Sequence, residues 1–251
     1  MGLFSSLFGT FLITPESVGE KGERMIAARL GWIDFLGYQG IILQNIYVPK
    51  SNDETTEIDL LYITKKGIFI IESKNYSGYI FGSEKSPQWT ESNFNKGRIE
   101  KRKFYNPIWQ NKTHIKYLRK YLYESNLPIY SVIVFSDRCK LKNIMIDSRD
   151  TCVCTLNYLA SYFRGIWANT PDVLSQEMMS CIYGKLNCLT VGNEVKKQIH
   201  IDNIKSKLHN TEVCPWCGNK LILRTAKTGL NIGTQFYGCS AYPRCRYTRS
   251  I

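Results

Sequence analysis

The sequence predicts an α/β protein, helices flanking a mixed sheet, with a smaller cysteine-bearing module at its C-terminal end. Three observations carry this. The stretch Glu57 to Lys74, EIDLLYITKKGIFIIESK, sets two apolar runs rich in Ile, Leu, Tyr and Phe around a Lys65-Lys66-Gly67 turn. Neither run alternates with polar residues, so the pattern is a β-hairpin buried on both faces. Helical periodicity precedes the hairpin, and a second helix and a buried strand, Ile129 to Phe135, follow it. Finally, Cys214, Cys217, Cys239 and Cys245 form two local pairs near the C-terminal end.

Taken in order, Thr14-Pro15-Glu16-Ser17 signals a helix start, and Val18, Met25, Ile26, Leu30 and Ile33 form its apolar stripe, with Gly31 the candidate stop. Glu20 and Glu23 lie early in this helix, where acids commonly complement the helix dipole. Ile41 to Val48 predicts a strand stopped at Pro49, and Tyr79 to Gly82 another beyond the hairpin, before an aromatic segment around Trp89. Lys96 to Lys103, KGRIEKRK, is a basic run, either a solvated face or a surface beside the site. Asn106-Pro107 supplies a cap and a first-turn proline for a helix that puts Gln110 and His114 on one face. Beyond Cys139, LKNIMI and TCVCTL predict short strands. Helices are expected over Asn157 to Trp167, Ser175 to Tyr183 and Val191 to Leu208.

With 251 residues the chain can hold a main domain and a smaller one, and 43% hydrophobic with 22% charged residues excludes a disordered chain. A formal charge of +12 points to a polyanionic partner, nucleic acid before membrane. The other five of nine cysteines, Cys139, Cys152, Cys154, Cys181 and Cys188, sit among apolar neighbours and are expected as buried thiols of a reducing, cytoplasmic compartment. The apolar start, MGLFSSLFGTFLI, lacks a basic leader and is shorter than the ~20 residues a membrane span needs. No stable membrane insertion is expected, and the tail is assigned no function, although Met1-Gly2 with Ser6 matches the myristoylation pattern.

Three charged residues fall where burial makes them costly: Asp59, Glu72 and Lys74. Glu72 and Lys74 share a strand face by the period of two. If Thr64 pairs with Gly67, Asp59 lies opposite Glu72; a bulge at Gly67 would slip that register by one. Two carboxylates at one point repel unless a cation joins them, and Mg²⁺ takes oxygen ligands of this kind. A lysine beside them can hold a water or steady charge on a phosphate. A plain salt bridge at the end of a hairpin is the alternative.

The arrangement Asp, spacer, Glu-x-Lys resembles the PD-(D/E)XK nuclease superfamily, with Ile58 where its name-giving proline would stand. Together, GEKGE opening a helix, EIDLLYITKKGIFIIESK and NPIWQNKTH resemble the nuclease-related domain, NERD, placed within that superfamily. The resemblance covers about residues 16–137 and implies a restriction-endonuclease-like mixed sheet flanked by helices. It also implies metal-dependent phosphodiester cleavage. Carried over by residue, the acidic helix position falls on Glu23, with Glu20 second. The hairpin acid falls on Asp59, the Glu-x-Lys pair on Glu72 and Lys74, and the helix glutamine on Gln110. His114 is a weaker candidate, because a lone helical histidine is more often a satisfied core or surface residue.

Cys214-Pro215-Trp216-Cys217 followed by Cys239 and Cys245 has the spacing of a closed tetrahedral Zn²⁺ site. Two disulfides are disfavoured in a chain with five more thiols. The finer pattern, ending GCSAYPRCRYT, resembles the four-cysteine zinc ribbons of bacterial type IA DNA topoisomerases, which contact single-stranded DNA. That implies DNA binding through Trp216, Arg224, Tyr237, Tyr242, Arg244, Arg246 and Tyr247, some of these aromatics being needed for the ribbon's own core. The expected organisation is thus an apolar tail (1–15), a nuclease-like domain (16–137), a mainly helical extension or linker (138–210) and a zinc ribbon (211–251). The expected activity is Mg²⁺- or Mn²⁺-dependent cleavage of nucleic acid, DNA before RNA. The rival is a non-catalytic DNA-binding or adaptor protein that keeps the fold.

Overall fold

A computed structural model describes residues 15–50, 54–124, 126–190, 202, 213–214, 219–227 and 232–251. The apolar tail, the helix expected over Val191 to Leu208, and Trp216 and Cys217 lie outside the described residues.

Helix α1 (Pro15–Phe35) leads into a strand β1 (Gly40–Pro49), the hairpin β2 (Thr55–Thr64) and β3 (Gly67–Lys74), and then β4 (Gly78–Ser83), β5 (Gln88–Asn95) and β6 (Arg98–Tyr105). Helix α2 (Pro107–Leu122), strands β7 (Ile129–Phe135), β8 (Cys139–Met145) and β9 (Thr151–Thr155), and helices α3 (Leu159–Asn169) and α4 (Gln176–Asn187) follow. The central sheet runs β1-β2-β3-β7-β9. It is antiparallel through β3 and parallel from β3 to β9. Helices α2 and α4 cover one face, through Leu118, Leu122, Met179, Ile182 and Leu186. Helices α1 and α3 cover the other, through Ile26, Leu30, Ile33, Leu159 and Phe163. This is the mixed sheet between helices that the sequence predicts. The hydrophobic core runs on without a break past residue 137, since β9, α3 and α4 belong to its layers.

The hairpin register is the expected one, with Thr64 opposite Gly67 and Leu60 opposite Ile71. Gly67 is required there: its φ is +131°, and a Cβ would lie 2.6 Å from the Pro128 carbonyl oxygen. Beyond Leu60 the two strands part, while β2 stays paired to β1 as far as Thr55. At that level both β1 and β2 swap faces. Leu43 and Ile46 fill the α2-side core, as do Ile58 and Leu61, although strict alternation would separate each pair. Asn45, at φ +51°, makes the step in β1, and Asp59 lies at the matching level in β2.

Two expectations are corrected. Helix α1 does not stop at Gly31 but runs to Phe35, because Ile33 continues the buried stripe at 1% exposure. Its end is a Schellman turn at Gly37 (φ +94°), with Tyr38 N–H donating to the Ile33 carbonyl and Gly37 N–H to that of Asp34. The run KGRIEKRK, read as a solvated face or a surface beside the site, is largely exposed and forms the turn at Lys96-Gly97, both with positive φ, and most of strand β6 paired to β5. Of the five scattered thiols, Cys139 and Cys154 are buried and Cys152 is half-buried, whereas Cys181 and Cys188 are exposed on or beside the outer face of α4.

Strands β4, β5, β6 and β8 form a second sheet, ordered β6-β5-β4-β8. Its inner face packs Ile80, Trp89 and Phe104 on Phe135 and Ile108. Asn106 ties this sheet to α2: its Oδ1 caps Ile108 N–H and its amide donates to the carbonyls of Ser83, Glu84 and Ser86. The ribbon is a three-stranded antiparallel sheet, β10 (Leu221–Thr225), β11 (Gln235–Cys239) and β12 (Thr248–Ser250).

Candidate active site and metal centre

The parting of β2 and β3 creates the site. Once β3 runs past Leu60, the Ser73 N–H has no β2 backbone partner and is instead taken by Asp59 Oδ2 at 2.8 Å. A strand edge left open inside a protein needs such an acceptor. On the α2 side, β3 presents Glu72 and Lys74, and Lys74 Nζ donates to Glu72 Oε1 at 2.6 Å and to Gln110 Oε1 at 3.1 Å. Gln110 and His114 do share the face turned to β3. His114 Nε2 lies 3.5 Å from Glu72 Oε2, and its Nδ1 lies 2.7 Å from Thr56 Oγ1.

Glu72 is 2% exposed. Burial would raise its pKa, but Lys74 and then His114 outweigh that and draw it down to about 2. Lys74 is held above the ordinary lysine value: burial lowers it, and the Glu72 and Asp59 carboxylates more than reverse the effect. Asp59 is pushed well above the usual carboxylate range, first by burial and then by Glu72, with Lys74 and the Ser73 N–H opposing and Glu23 adding to the rise. With both carboxylates ionised, the cluster would hold more negative charge than Lys74 alone balances. Two buried polar atoms in it, Glu72 Oε2 and His114 Nε2, have no hydrogen-bond partner. Such a donor set, carboxylate oxygens short of positive charge, fits a hard divalent cation. Glu72 and Asp59 would hold it, and the cation would remove the penalty that raises Asp59.

Of the expected residues, Glu72, Lys74 and Gln110 are joined by direct hydrogen bonds, and Asp59 reaches them through its charge and the Ser73 backbone. Glu23, half-buried on α1, is felt at Asp59, whereas Glu20 is exposed. Glu23 does not close with Asp59 and Glu72 into a tight cage, since among the described residues only the cysteine group gathers three ligand atoms within 4.8 Å of one another. Nothing in the sequence marks Thr56 as a partner of the site, and the one sequence signal for His114 is its spacing of four from Gln110. On the α1 side of β3, a cleft of about 590 Å³ is lined by Lys21, Arg24, Lys74, Asn75 and Arg138 among others. Gly22 lets α1 approach it closely, a Cβ there meeting Ser73 Oγ at 2.9 Å.

In the ribbon, the Sγ atoms of Cys214, Cys239 and Cys245 are buried and cluster, with 3.7 Å between those of Cys214 and Cys245. That is far beyond a disulfide bond. It equals the edge, about 3.7–3.8 Å, of a tetrahedron whose Zn–S bonds are ~2.3 Å. Ala241 N–H donates to Cys239 Sγ. The residues fit zinc, Cys217 lying outside those described. Tyr237 and Tyr247 pack on the cysteine core, so they serve the ribbon's own fold, while Tyr242 is 59% exposed with Arg224 over its ring. Arg244 and Arg246 are exposed beside it.

An open α/β sheet with a Glu-x-Lys pair at a strand end, joined to a thiolate ribbon, is the arrangement expected of a nuclease-related fold carrying a zinc ribbon. The comparisons agree. The chain belongs to the nuclease-related domain (NERD) family, which matches residues 18–136, and carries a topoisomerase-type DNA-binding C4 zinc finger over residues 211–251. It is 33% identical over 196 residues to an uncharacterized protein of Bacillus anthracis, covering 78% of this chain and 86% of that one. Over 39 residues the chain is 51% identical to DNA topoisomerase 1 of Methanocaldococcus jannaschii, 16% of this chain and 4% of that enzyme. It is also 43% identical over 44 residues to the uncharacterized protein YrdD of Escherichia coli, 18% of this chain and 22% of that protein. No solved structure matches the chain. No helix among the described residues is long and apolar enough to cross a membrane.

Proposed function

We propose that the chain is a cytoplasmic, Mg²⁺- or Mn²⁺-dependent nuclease that hydrolyses DNA phosphodiester bonds, with the zinc ribbon holding DNA, single strands in particular. The observation that carries the reading is the contact of Lys74 with Glu72 and Gln110 beside an Asp59 carboxylate that burial and Glu72 destabilise. A bound cation would polarise the scissile phosphate and ease deprotonation of a water. Glu72 and Asp59 would hold it, with Glu23 adding negative field from α1. Lys74, fixed as a cation, faces the phosphate charge that grows as water oxygen bonds to phosphorus and the bond to the leaving oxygen breaks. Gln110 orients the lysine by accepting from its Nζ. At the same end of β3 but on its α1 side, the cleft walled by Lys21, Arg24 and Arg138 would favour a phosphate chain running past the sheet end.

Labelled single- and double-stranded DNA incubated with Mg²⁺, Mn²⁺ or chelator tests this. Metal-dependent products are expected from wild type and not from Lys74→Ala. If no divalent metal supports cleavage, the chain is a non-catalytic DNA-binding protein. For the ribbon, metal analysis is expected to find about one zinc per chain, lost in Cys214→Ser. Deleting residues 211–251 should weaken single-strand binding and reduce its salt dependence.

A further inference from the structure

The second sheet has one face packed in the core and one face turned outward, and the outward face takes Lys101 and Lys103 of the basic run KGRIEKRK. Strand pairing sets residues opposite one another on a common face. One row across the sheet is Lys101, Ser92, Tyr79 and Lys140; the next is Lys103, Thr90 and Phe81. At the hairpin end Phe94 pairs with Ile99. No acidic residue enters these rows. The acids of the same strands alternate to the other side, where Glu91 is buried against Arg102 and the Ser77 N–H. Lys101, Lys103 and Lys140 are exposed, and none of them is ion-paired among the described residues. Phe94 is 77% exposed and Tyr79 43%, and both rings share the face of the three lysines.

We propose that this face is a binding platform for single-stranded nucleic acid. Unpaired bases stack on Tyr79, Phe81 and Phe94 while Lys101, Lys103 and Lys140 neutralise phosphates along the strand. With strands ~4.8 Å apart, Lys101 and Lys140 stand about 14 Å from each other, a span of several nucleotides rather than one phosphate. Ring faces are of use only to unstacked bases, which favours single strands over a duplex. The platform is separate in sequence from the four cysteines and does not rest on the nuclease reading.

The test is fluorescence anisotropy of the full chain with a labelled oligothymidine, without added divalent cation, over a salt series. Lys101→Gln, Lys103→Gln and Lys140→Gln together are expected to reduce the slope of log affinity against log salt by about 2, from ~0.7 per phosphate contact on a single strand. Lys116→Gln, Lys120→Gln and Lys185→Gln, an equal loss of charge on α2 and α4, serve as the control and should change the slope far less. Tyr79→Ala with Phe94→Ala should leave the slope unchanged and weaken binding at least about fivefold, the lower end for one stacked base. Duplex DNA should not register that aromatic change. The proposal is overturned if the sheet lysines behave like the control set, or if the aromatic variant binds the single strand as wild type does. Thermal melting of each variant confirms that the sheet is intact.

Discussion

Two buried glutamates, Glu72 and Glu84, look alike by burial and charge and differ in what surrounds them. Each has a lysine ammonium on one oxygen and a pKa drawn down to about 2. Glu84, at the end of β4, is saturated. It accepts from Lys112 Nζ, the Ser148 hydroxyl and the backbone N–H groups of Asp147 and Ser148, and so ties α2 and the segment after β8 to the second sheet. Glu72 has Lys74 on one oxygen, while the other faces His114 Nε2 unbonded, with Asp59 close enough to repel it. A carboxylate with every lone pair engaged holds structure together. One left short of donors beside a second carboxylate is poised for a cation.

The strongest way to break this contrast is to neutralise each in turn. Glu72→Gln is expected to lower metal-dependent cleavage by on the order of 10²–10³-fold. Asp59 remains as counter-charge to Lys74 and is relieved of the Glu72 repulsion, so its melting temperature should fall less than that of Glu84→Gln. Glu84→Gln is expected to do the reverse: cleavage within a few-fold of wild type, and a loss of stability on the order of 2–3 kcal/mol, read by denaturant titration. If Glu84→Gln abolishes cleavage in folded protein, the division fails.

pH sharpens it further. A folded pKa of about 2 against an ordinary 4.5 means that Glu84 stabilises the native state at pH above 4.5, and that this contribution disappears as pH falls from 4.5 to 2. The difference in unfolding free energy between wild type and Glu84→Gln should therefore shrink through that window; a constant difference would show that the charge is not what matters. The smallest effect is expected at His114. His114→Gln, which retains a donor toward Glu72, should lower cleavage by about tenfold or less, whereas His114→Leu should lower it more, as measured by single-turnover rates.

The hairpin was legible because its chemistry is local: a two-residue turn fixes register, and the apolar runs leave only Asp59, Glu72 and Lys74 to explain. Gln110 was legible by its place after Asn106-Pro107. The second sheet was not. Its strand β6 carries lysine and arginine where strand propensity is low, and the turn at Lys96-Gly97 lacks the asparagine that announces a hairpin with positive φ. Nor could the sequence say that Asp59 would seize the Ser73 N–H, since that follows from where two strands part, which tertiary packing decides.

The face swap shared by β1 and β2 carries one more consequence. Alternation along a strand is a parity, and at the level of Asn45 and Asp59 the parity of two neighbouring strands is reset together. Were β1 to run straight through Asn45, Ile46 and Val48 would emerge on the wrong side of the sheet, and β2 could keep its pairing only by staying regular too. Asp59 would then continue the odd-numbered series of Leu61 and Ile63, and Ile58 the even-numbered series of Leu60. An edge-strand asparagine that contributes no atom to the carboxylate cluster thus sets its phase, and the chemistry at the end of β3 is tuned from two strands away.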